Sequence, residues 1–379
     1  METVKGFRDF IGEEAEKREY VKEVLVKNFK LYGFEPAETP IVEYREFVQG
    51  SNSNDEAVSD IFKLKDKGNR DLALRYEFTF QLKRLMQAQK LPYKRYSIGP
   101  VFRDEPVSGN RLRQFTQCDI DIVSSSLRDE AEILAITKRI LDELNVPFTI
   151  YFNNRKLLNE ILEKENIKKY DFENVIREID KLDKLTEEEI KTNLKKYNAE
   201  KILLVLKKND FEQYENYKEI LQLKEYAKFY DLKLEFSPIL ARGLSYYNGT
   251  VFEVKTKEMK ETITAGGSYI FNNVQSTGIS FGLERLCSLV KLKEQQDKYL
   301  VLSIAQDEKA IELAEKLRSK GKIVYFLSGK VSKALEYANV KKINKVIFLG
   351  EEEVKKKKLK LKDMTTGKEE LVSLTKVLK

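Results

Sequence analysis

Histidine is absent from all 379 residues of the chain, and cysteine occurs only at Cys118 and Cys287. Without an imidazole, the protein has no Ser-His or Cys-His nucleophile and no histidine-ligated metal. The two cysteines lie far apart, so the sequence predicts neither a disulfide framework nor a zinc site. Any catalysis must therefore depend on carboxylates, arginine, lysine, tyrosine, backbone groups or a bound ion.

Long apolar runs are also absent from the sequence. No stretch approaches the roughly 20 residues that a membrane span requires, and the N-terminal METVKGFRDF has no apolar signal-peptide core. The hydrophobic fraction of 41% is sufficient for packed domains, and two or three are expected in 379 residues. We therefore expect a soluble, cytoplasmic protein that makes no membrane contact.

The positive charge is concentrated near the C-terminus. Residues 298–379 contain 20 Lys and Arg against 11 Asp and Glu, so the rest of the +7 chain carries −2. A polyanion that contacts this segment is one interpretation. A solvated lysine surface is the other, and the charge count alone favours it.

Helical and extended patterns alternate along the chain. The pattern predicts a helix from Glu13 to Leu31, β-strands between Asp71 and Ser124, and a second helix after a capping box of Ser126 and Asp129. Strand-like sequence returns after about residue 233, where Asn248-Gly249 predicts a hairpin turn. An antiparallel sheet with flanking helices is the expected core.

Two further segments differ from this core. Residues 153–232 are rich in Lys, Glu and Asn, contain no glycine, and have a helix-start signal at Thr186 and Glu189, which together indicate a helical insertion. The last 80 or so residues follow a β-α-β-α-β order that predicts a small α/β domain with a largely parallel sheet.

Arg103, Arg242 and Arg285 lie in strand-like or strand-to-helix segments. Each alone is usually structural, but a set of planar guanidinium groups suits a polyphosphate. The GxxxxGK[ST] phosphate-binding loop is absent from the sequence.

Acids and amides accompany these arginines. Gln117, Asp119 and Asp121 share one face of their predicted strand, because alternate residues point the same way. If that face meets solvent, which is the commoner case, these residues are ordinary surface groups; if it meets a cleft, they suit a small cationic substrate. The pair Gly266-Gly267 is most simply interpreted as a tight turn.

Several motifs in order resemble those of class II aminoacyl-tRNA synthetases. GPVFRDEPVSGNRLRQFTQCDIDI resembles motif 2, TGISFGLERL resembles motif 3, and GFEPAETPIVEY, with Pro40, resembles motif 1. Within that class, ARGLSYYNGTVFE and AGGSY resemble the two histidine-binding signatures of the histidyl-tRNA synthetase family. The resemblance covers essentially the whole chain.

The resemblance implies an α+β class II core, a homodimer, and an ATP- and Mg²⁺-dependent ligase that charges tRNA(His) with histidine. It implies four parts: a first core segment (1–150), the helical insertion (151–233), a second core segment (234–295) and an anticodon-binding α/β domain (298–379).

Residue roles follow from the same resemblance. Arg103 and Arg285 would hold the phosphates of ATP, and Arg242 would bridge the histidine carboxylate and the α-phosphate. Further ATP contacts fall on Glu105, Arg111 and Phe115, and the tRNA-contacting loop would use Arg111 and Arg113. The implied histidine-binding residues are Glu77, Thr79, Gln117, Asp121, Tyr246, Tyr247 and Tyr269.

The sequence departs from the family pattern at a few positions. Ser245 replaces a common acid, Ser268 replaces an arginine, and Asp121 is one methylene shorter than the usual glutamate. Two alternatives remain open: a synthetase-like regulatory subunit of histidine biosynthesis, which would lack the anticodon-binding domain, and a nucleic-acid-binding pseudoenzyme.

Overall fold

An eight-stranded sheet organises the N-terminal part of the protein. The computed structural model describes residues 2–50, 58, 60–107, 111–183, 185–208, 210–241, 246–292 and 297–378. The chain divides into two units, Met1–Lys291 and Leu292–Lys379. The strands of the first unit are β1 (Glu35–Pro36), β2 (Val42–Tyr44), β3 (Lys63–Lys65), β4 (Asp71–Leu74), β5 (Tyr93–Phe102), β6 (Gln114–Val123), β7 (Thr149–Asn154), β8 (Leu234–Phe236), β9 (Tyr247–Thr256), β10 (Met259–Phe271) and β11 (Val274–Gly282).

The large sheet is antiparallel through its centre. Its order is β1-β5-β6-β11-β10-β9-β7-β8, and only the two edge pairs, β1 with β5 and β7 with β8, are parallel. Strands β2, β4 and β3 form a separate antiparallel sheet. The predicted α+β class with an antiparallel core sheet is confirmed.

The helices of the first unit include those that pack on the large sheet and those of the insertion. They are α1 (Gly12–Leu31), α2 (Arg45–Gln49), α3 (Leu82–Leu85), α4 (Leu127–Glu143), α5 (Arg155–Lys164), α6 (Phe172–Asp180), α7 (Glu187–Leu194), α8 (Ile202–Lys208), α9 (Tyr217–Lys228) and α10 (Leu283–Leu289).

Strand alternation separates a packed face of the sheet from a polar one. Cys118, Ile120 and Ile122 of β6 lie in one apolar core with side chains of α1 and α4, such as Phe29 and Ile136. The intervening β6 residues point to the opposite face, because successive side chains alternate. The sheet therefore presents polar side chains on the face that α1 and α4 leave uncovered.

The predicted helix starts are observed. The backbone N–H of Ser126 donates to Asp129 at 2.7 Å, and that of Thr186 donates to Glu189 at 2.8 Å, so both capping boxes are present. These interactions satisfy N–H groups that a helix start would otherwise leave unpaired. The glycine-free region between β7 and β8 is helical, as predicted.

Two turn predictions are wrong. Asn248 and Gly249 lie inside β9, and neither adopts the positive φ that a type I′ turn requires. The Asn248 side chain instead donates to the Gln275 side chain at 2.9 Å. Gly266 and Gly267 likewise lie inside β10, where their lack of a side chain permits close packing rather than a turn.

The second unit is a small α/β domain. Its elements are β12 (Lys298–Ser303), α11 (Asp307–Arg318), β13 (Ile323–Ser328), α12 (Val331–Val340), β14 (Lys345–Leu349), α13 (Glu351–Lys356), β15 (Leu359–Asp363), β16 (Glu369–Val372) and α14 (Leu374–Leu378). Strands β13, β12 and β14 are parallel, as predicted, and β15 and β16 extend the sheet antiparallel. None of the helices in the described parts of either unit is long and apolar enough to cross a membrane.

Candidate active site

A cavity of about 640 Å³ opens on the polar face of the large sheet. Its size lies within the range of small-molecule sites. The structure brings six of the predicted site residues to its lining: Arg103, Glu105, Arg111, Phe115, Gln117 and Arg285. The insertion also contributes to this lining, through Arg177, Lys181 and Tyr197 among others, which the sequence did not indicate.

Arg103 lies at the end of β5 and is fixed on several sides. Its Nε donates to the carbonyl oxygen of Tyr76 at 3.3 Å, and its guanidinium carbon lies 5.2 Å from the centre of the Phe115 ring. Its Nη1 is 3.9 Å from the Glu105 carboxylate. A guanidinium held in this way at a cavity wall is oriented in advance for an anionic ligand.

Arg285 lies in the first turn of α10, directly after β11. Its Nη1 donates to the carbonyl oxygen of Thr262 at 2.6 Å. The adjacent Glu284 accepts from Arg18 at 2.8 Å and from the backbone N–H of Thr116 at 3.1 Å, so it joins α1, β6 and α10. Sequence reasoning assigned no role to Arg18 or Glu284.

The arginines of the predicted tRNA loop lie in different surroundings. Arg111 Nη1 is 3.5 Å from the Glu105 carboxylate, and more than half of its side chain is exposed. Arg113 donates to the carbonyl oxygen of Glu105 at 3.1 Å and lies 3.3 Å from the Asp104 carboxylate, so it ties down the base of the loop. Residues 108–110 of this loop lie outside the described residues.

Asp121 lies at the centre of a second group of predicted residues. Its carboxylate accepts a hydrogen bond from the Tyr269 hydroxyl and lies 2.6 Å from the Arg95 guanidinium. Burial raises the pKa of Asp121, while Arg95 and the Tyr269 hydrogen bond lower it. The site can therefore present an oriented carboxylate to a polar ligand.

Tyrosines surround this carboxylate. The rings of Tyr246 and Tyr247 are 4.8 Å apart, and those of Tyr246 and Tyr269 are 5.8 Å apart. The Tyr246 hydroxyl lies 3.5 Å from the buried Glu77 carboxylate. Burial raises the pKa of Tyr246 and of Tyr269 well above the ordinary value, so both hydroxyls keep their protons as potential donors.

Thr79 is buried at the start of a short 3₁₀ helix, two residues after Glu77. Arg242 and Ser245 lie outside the described residues, so the structure gives no geometry for the predicted carboxylate bridge.

Gln117, Asp119 and Asp121 share one buried face of β6, with 8% or less of each residue exposed. The solvent-facing interpretation of this face is therefore wrong, because the sheet and the surrounding tyrosines enclose it. Gln117 Nε2 donates to the Ser280 hydroxyl at 2.6 Å. Burial raises the pKa of Asp119 to about 7, with Arg95 opposing the rise.

Arg95 is a site residue that sequence reasoning missed. It is fully buried on β5, directly opposite Asp121 in the register of β5 and β6. Alternate residues of β5 face the polar positions of β6: Gly99 pairs with Gln117, Ser97 with Asp119 and Arg95 with Asp121. This alternation was the signal in the sequence that could have identified Arg95. A charge at a buried strand position is unusual and indicates a partner.

Glycines make the floor of this pocket. A Cβ at Gly278 would lie 2.1 Å from Asp121 Oδ1, and a Cβ at Gly267 would lie 2.9 Å from the Tyr247 ring. Both positions therefore require glycine.

Ser268 does not face the pocket. It lies between the pocket-facing Gly267 and Tyr269, and its hydroxyl donates to the buried Glu130 of α4. Burial raises the pKa of Glu130 to about 7, while the hydrogen bond from Ser268 lowers it. Ser268 thus joins β10 to α4 on the side of the sheet away from the pocket.

Comparisons with known proteins identify the family. The family model for histidyl-tRNA synthetase matches residues 6–286, and the model for the anticodon-binding domain matches residues 292–379. The chain is 33% identical over 417 residues to histidine–tRNA ligase 1 of Bacillus thuringiensis subsp. konkukian, with 99% of this chain and 98% of that relative covered. It is 34% identical over 421 residues to the histidine–tRNA ligase of Helicobacter pylori, with 96% and 94% covered.

The chain belongs to the histidyl-tRNA synthetase family. A crystal structure of the histidyl-tRNA synthetase from Nostoc sp. PCC 7120 matches with a TM-score of 0.87 at 25% identity and covers 99% of this chain and 98% of that one. The sequence-based prediction of the family and of the ligase class is confirmed. Enzymes of this family use ATP to activate histidine and then transfer it to tRNA.

Proposed function

We propose that this chain forms histidyl-adenylate on the polar face of the large sheet, with the two groups of residues above as its two subsites. The observation that carries the proposal is the continuity of this face. Gln117 lines the ATP-sized cavity, and Asp121, four residues along the same strand face, lies among the tyrosines. A nucleotide and an amino acid bound at these two ends would meet near Gln117.

The cavity serves as the ATP subsite in this proposal. Arg103 contacts the α-phosphate, Arg285 approaches the γ-phosphate and covers the adenine, and Phe115 stacks on the other face of the base. Glu105 contacts the edge of the base, and Arg111 lies close enough to Glu105 to join it. Attack of a carboxylate on phosphorus needs alignment and charge neutralisation more than proton removal, so a chain without histidine can catalyse it.

The tyrosine-lined pocket serves as the histidine subsite. Glu77, Thr79 and Gln117 hold the ammonium and carboxylate groups, and Asp121, Tyr247 and Tyr269 lie at the imidazole end with Tyr246 beside them. Arg242 is proposed to bridge the two subsites. A pocket that must form hydrogen bonds rejects apolar analogues, because its own buried groups would remain unpaired.

Mg²⁺ fits the ATP subsite as a partner of the phosphates. No group of three or more acidic or cysteine side chains that could hold a metal occurs among the described residues. Mg²⁺ is commonly held by one or two carboxylates plus substrate phosphates. Asp60 lines the cavity and would supply such a carboxylate. Bound there, the ion would neutralise phosphate charge.

The remaining assignments concern the organisation of the chain and its partners. We propose a four-part organisation, with a core (1–150 and 234–295), an insertion (151–233) and a tRNA(His)-binding domain (298–379), acting in the cytoplasm.

A homodimer is supported by exposed apolar residues on and beside the three-stranded sheet, such as Ile41, Val42, Tyr44 and Leu64. Light scattering on a sizing column measures the oligomeric state.

The test of this function is ATP–pyrophosphate exchange by the purified protein, with histidine, without it, and with each other amino acid. Exchange that depends on histidine supports the proposal. Exchange with another amino acid, or none despite measurable histidine binding, would contradict it and favour a regulatory histidine-binding role.

A further inference from the structure

Two buried acceptor atoms lie at neighbouring positions of the polar face of β6. Gln117 Oε1 and Asp119 Oδ1 have no hydrogen-bond partner among the described residues, although both side chains are more than nine-tenths buried. The two residues are two positions apart, so they point to the same side of the sheet. Buried polar atoms normally have a partner, so these two acceptors are open to a donor from water or from a bound ligand.

Ser280 determines which atoms these side chains present. The Ser280 hydroxyl accepts from Gln117 Nε2 at 2.6 Å, so the amide oxygen remains as the acceptor. A hydrogen bond from Ser280 also reaches Asp119, where it lowers the pKa that burial raises. One hydroxyl thus orients both side chains.

Charged side chains of both signs surround Asp119. After burial, the largest influence on the pKa of Asp119 is Arg95, which lowers it, whereas Asp121 and, less strongly, Glu77 raise it. The buried Arg95 opposes them, but its Nη2 lies 2.6 Å from Asp121. Arg75, the other buried guanidinium nearby, donates to the carbonyl oxygens of Thr39 and Pro100. Among the described residues, three acidic side chains and two arginines therefore surround this position, an excess of acid that suits a cationic group.

We propose that Asp119 is a further histidine-binding residue, which accepts the α-ammonium group of the substrate together with Gln117 and Glu77. An ammonium group has three N–H donors, and this arrangement offers three acceptors. Asp121 lies two residues further along the same face, so it is left for the imidazole end. This inference rests on the proposed function and adds a charge-pairing residue to the amino-acid subsite.

The experiment compares an inhibitor that keeps the ammonium group of histidine and lacks its carboxylate with one that keeps the carboxylate and lacks the ammonium group. Histidinol carries the ammonium and imidazole groups, whereas imidazole-4-propionate has no ammonium. Inhibition constants are measured by competition with histidine in ATP–pyrophosphate exchange, for the full-length protein and for Asp119→Asn. We expect the variant to bind histidinol about 10- to 100-fold more weakly, as for loss of a charged hydrogen bond, with its KM for ATP unchanged. Its inhibition constant for imidazole-4-propionate should not rise, because this inhibitor has no ammonium group to lose a partner and its carboxylate is not attracted by Asp119.

Two further variants keep the result interpretable. Glu130→Gln removes a buried carboxylate of similar pKa from the opposite face of the sheet, and it should leave both inhibition constants unchanged. Asp119→Glu retains the charge and should recover part of the histidinol affinity.

An equal loss for both inhibitors, or no loss for either, would overturn the role of Asp119. Failure of the unmodified protein to exchange with histidine would instead overturn the proposed function.

Discussion

The Arg95 guanidinium lies 2.6 Å from the Asp121 carboxylate, and the two buried side chains face each other across adjacent strands. Replacing Arg95 by leucine leaves a buried carboxylate without its counter-charge. We expect Arg95→Leu to lower the free energy of unfolding by about 3–5 kcal/mol. Urea unfolding followed by circular dichroism measures this loss.

The double variant Arg95→Leu/Asp121→Asn is the control for this pair. It removes both charges, so much of the stability lost in Arg95→Leu should return. If the two single losses simply add in the double variant, the ion pair does not couple the two strands.

Arg103 offers a test of the phosphate subsite. Arg103→Lys keeps the charge but loses the planar fork and the contact between the guanidinium and the Phe115 ring. We expect kcat for ATP–pyrophosphate exchange to fall by about 10²- to 10³-fold. The matched variant Arg70→Lys alters an exposed arginine paired with Asp66, and its kcat should not change. Equal rates for the two variants would remove Arg103 from the site.

The raised pKa of Asp119 also predicts that the free energy of unfolding depends on pH in the absence of substrate. Burial raises its pKa from 3.8 to about 7, so the folded state holds its proton more tightly than the unfolded state does. The resulting stabilisation is complete below about pH 4 and is lost as the pH rises through about 7. The Asp119→Asn variant keeps all the charged groups that face this side chain, which are Arg75, Glu77, Arg95 and Asp121.

Asp119→Asn should therefore gain stability relative to the unmodified protein between pH 5 and pH 7, by up to about 1.4 kcal/mol per pH unit. Urea unfolding at each pH measures the difference. Asp66→Asn is a comparison of opposite sign, because hydrogen bonds from Arg70 lower the pKa of Asp66. Its relative stability should change only below about pH 4. A constant difference for Asp119→Asn over the whole range would show that its pKa is not raised.

Gly278 tests the shape of the histidine subsite. In Gly278→Ala, the new methyl carbon would lie 2.1 Å from Asp121 Oδ1, so the carboxylate or the strand must move. We expect KM for histidine to rise at least about tenfold, since a displaced carboxylate loses a charged hydrogen bond. At Gly68, the nearest atom to a new methyl carbon is the Asp66 side chain, at 3.4 Å, so Gly68→Ala should behave normally. An unchanged KM for Gly278→Ala would place histidine away from Asp121.

The residues proposed to bind phosphate were more predictable from sequence than those of the proposed histidine pocket. Arg103, Phe115 and Arg285 belong to motifs in which order and spacing are informative, and the structure brings all three to one cavity. Arg95 belongs to no such pattern, and its role depends on the pairing of β5 with β6, which joins residues 26 positions apart. Local sequence does not specify that register.

The wrong prediction of a hairpin turn at Asn248-Gly249 also arises from contacts between strands that local sequence does not specify. Asn-Gly favours a turn locally, but Gly249 packs against Ser268 of β10, where a Cβ would lie 3.2 Å from the serine Cβ. Close packing between strands therefore outweighs the local preference. The same limit applies to Ser268, because only strand alternation shows that it meets Glu130 and not the substrate pocket.

The absence of histidine from a chain that we propose to bind histidine is a spectroscopic advantage. Since the polypeptide contains no imidazole, every imidazole resonance in a nuclear magnetic resonance spectrum of the untagged complex belongs to the ligand. With ¹⁵N-labelled histidine, the two ring-nitrogen shifts would report the protonation state and tautomer of the bound substrate. The pocket around Asp121 and Tyr269 could thus be observed through its ligand alone, without background from the protein.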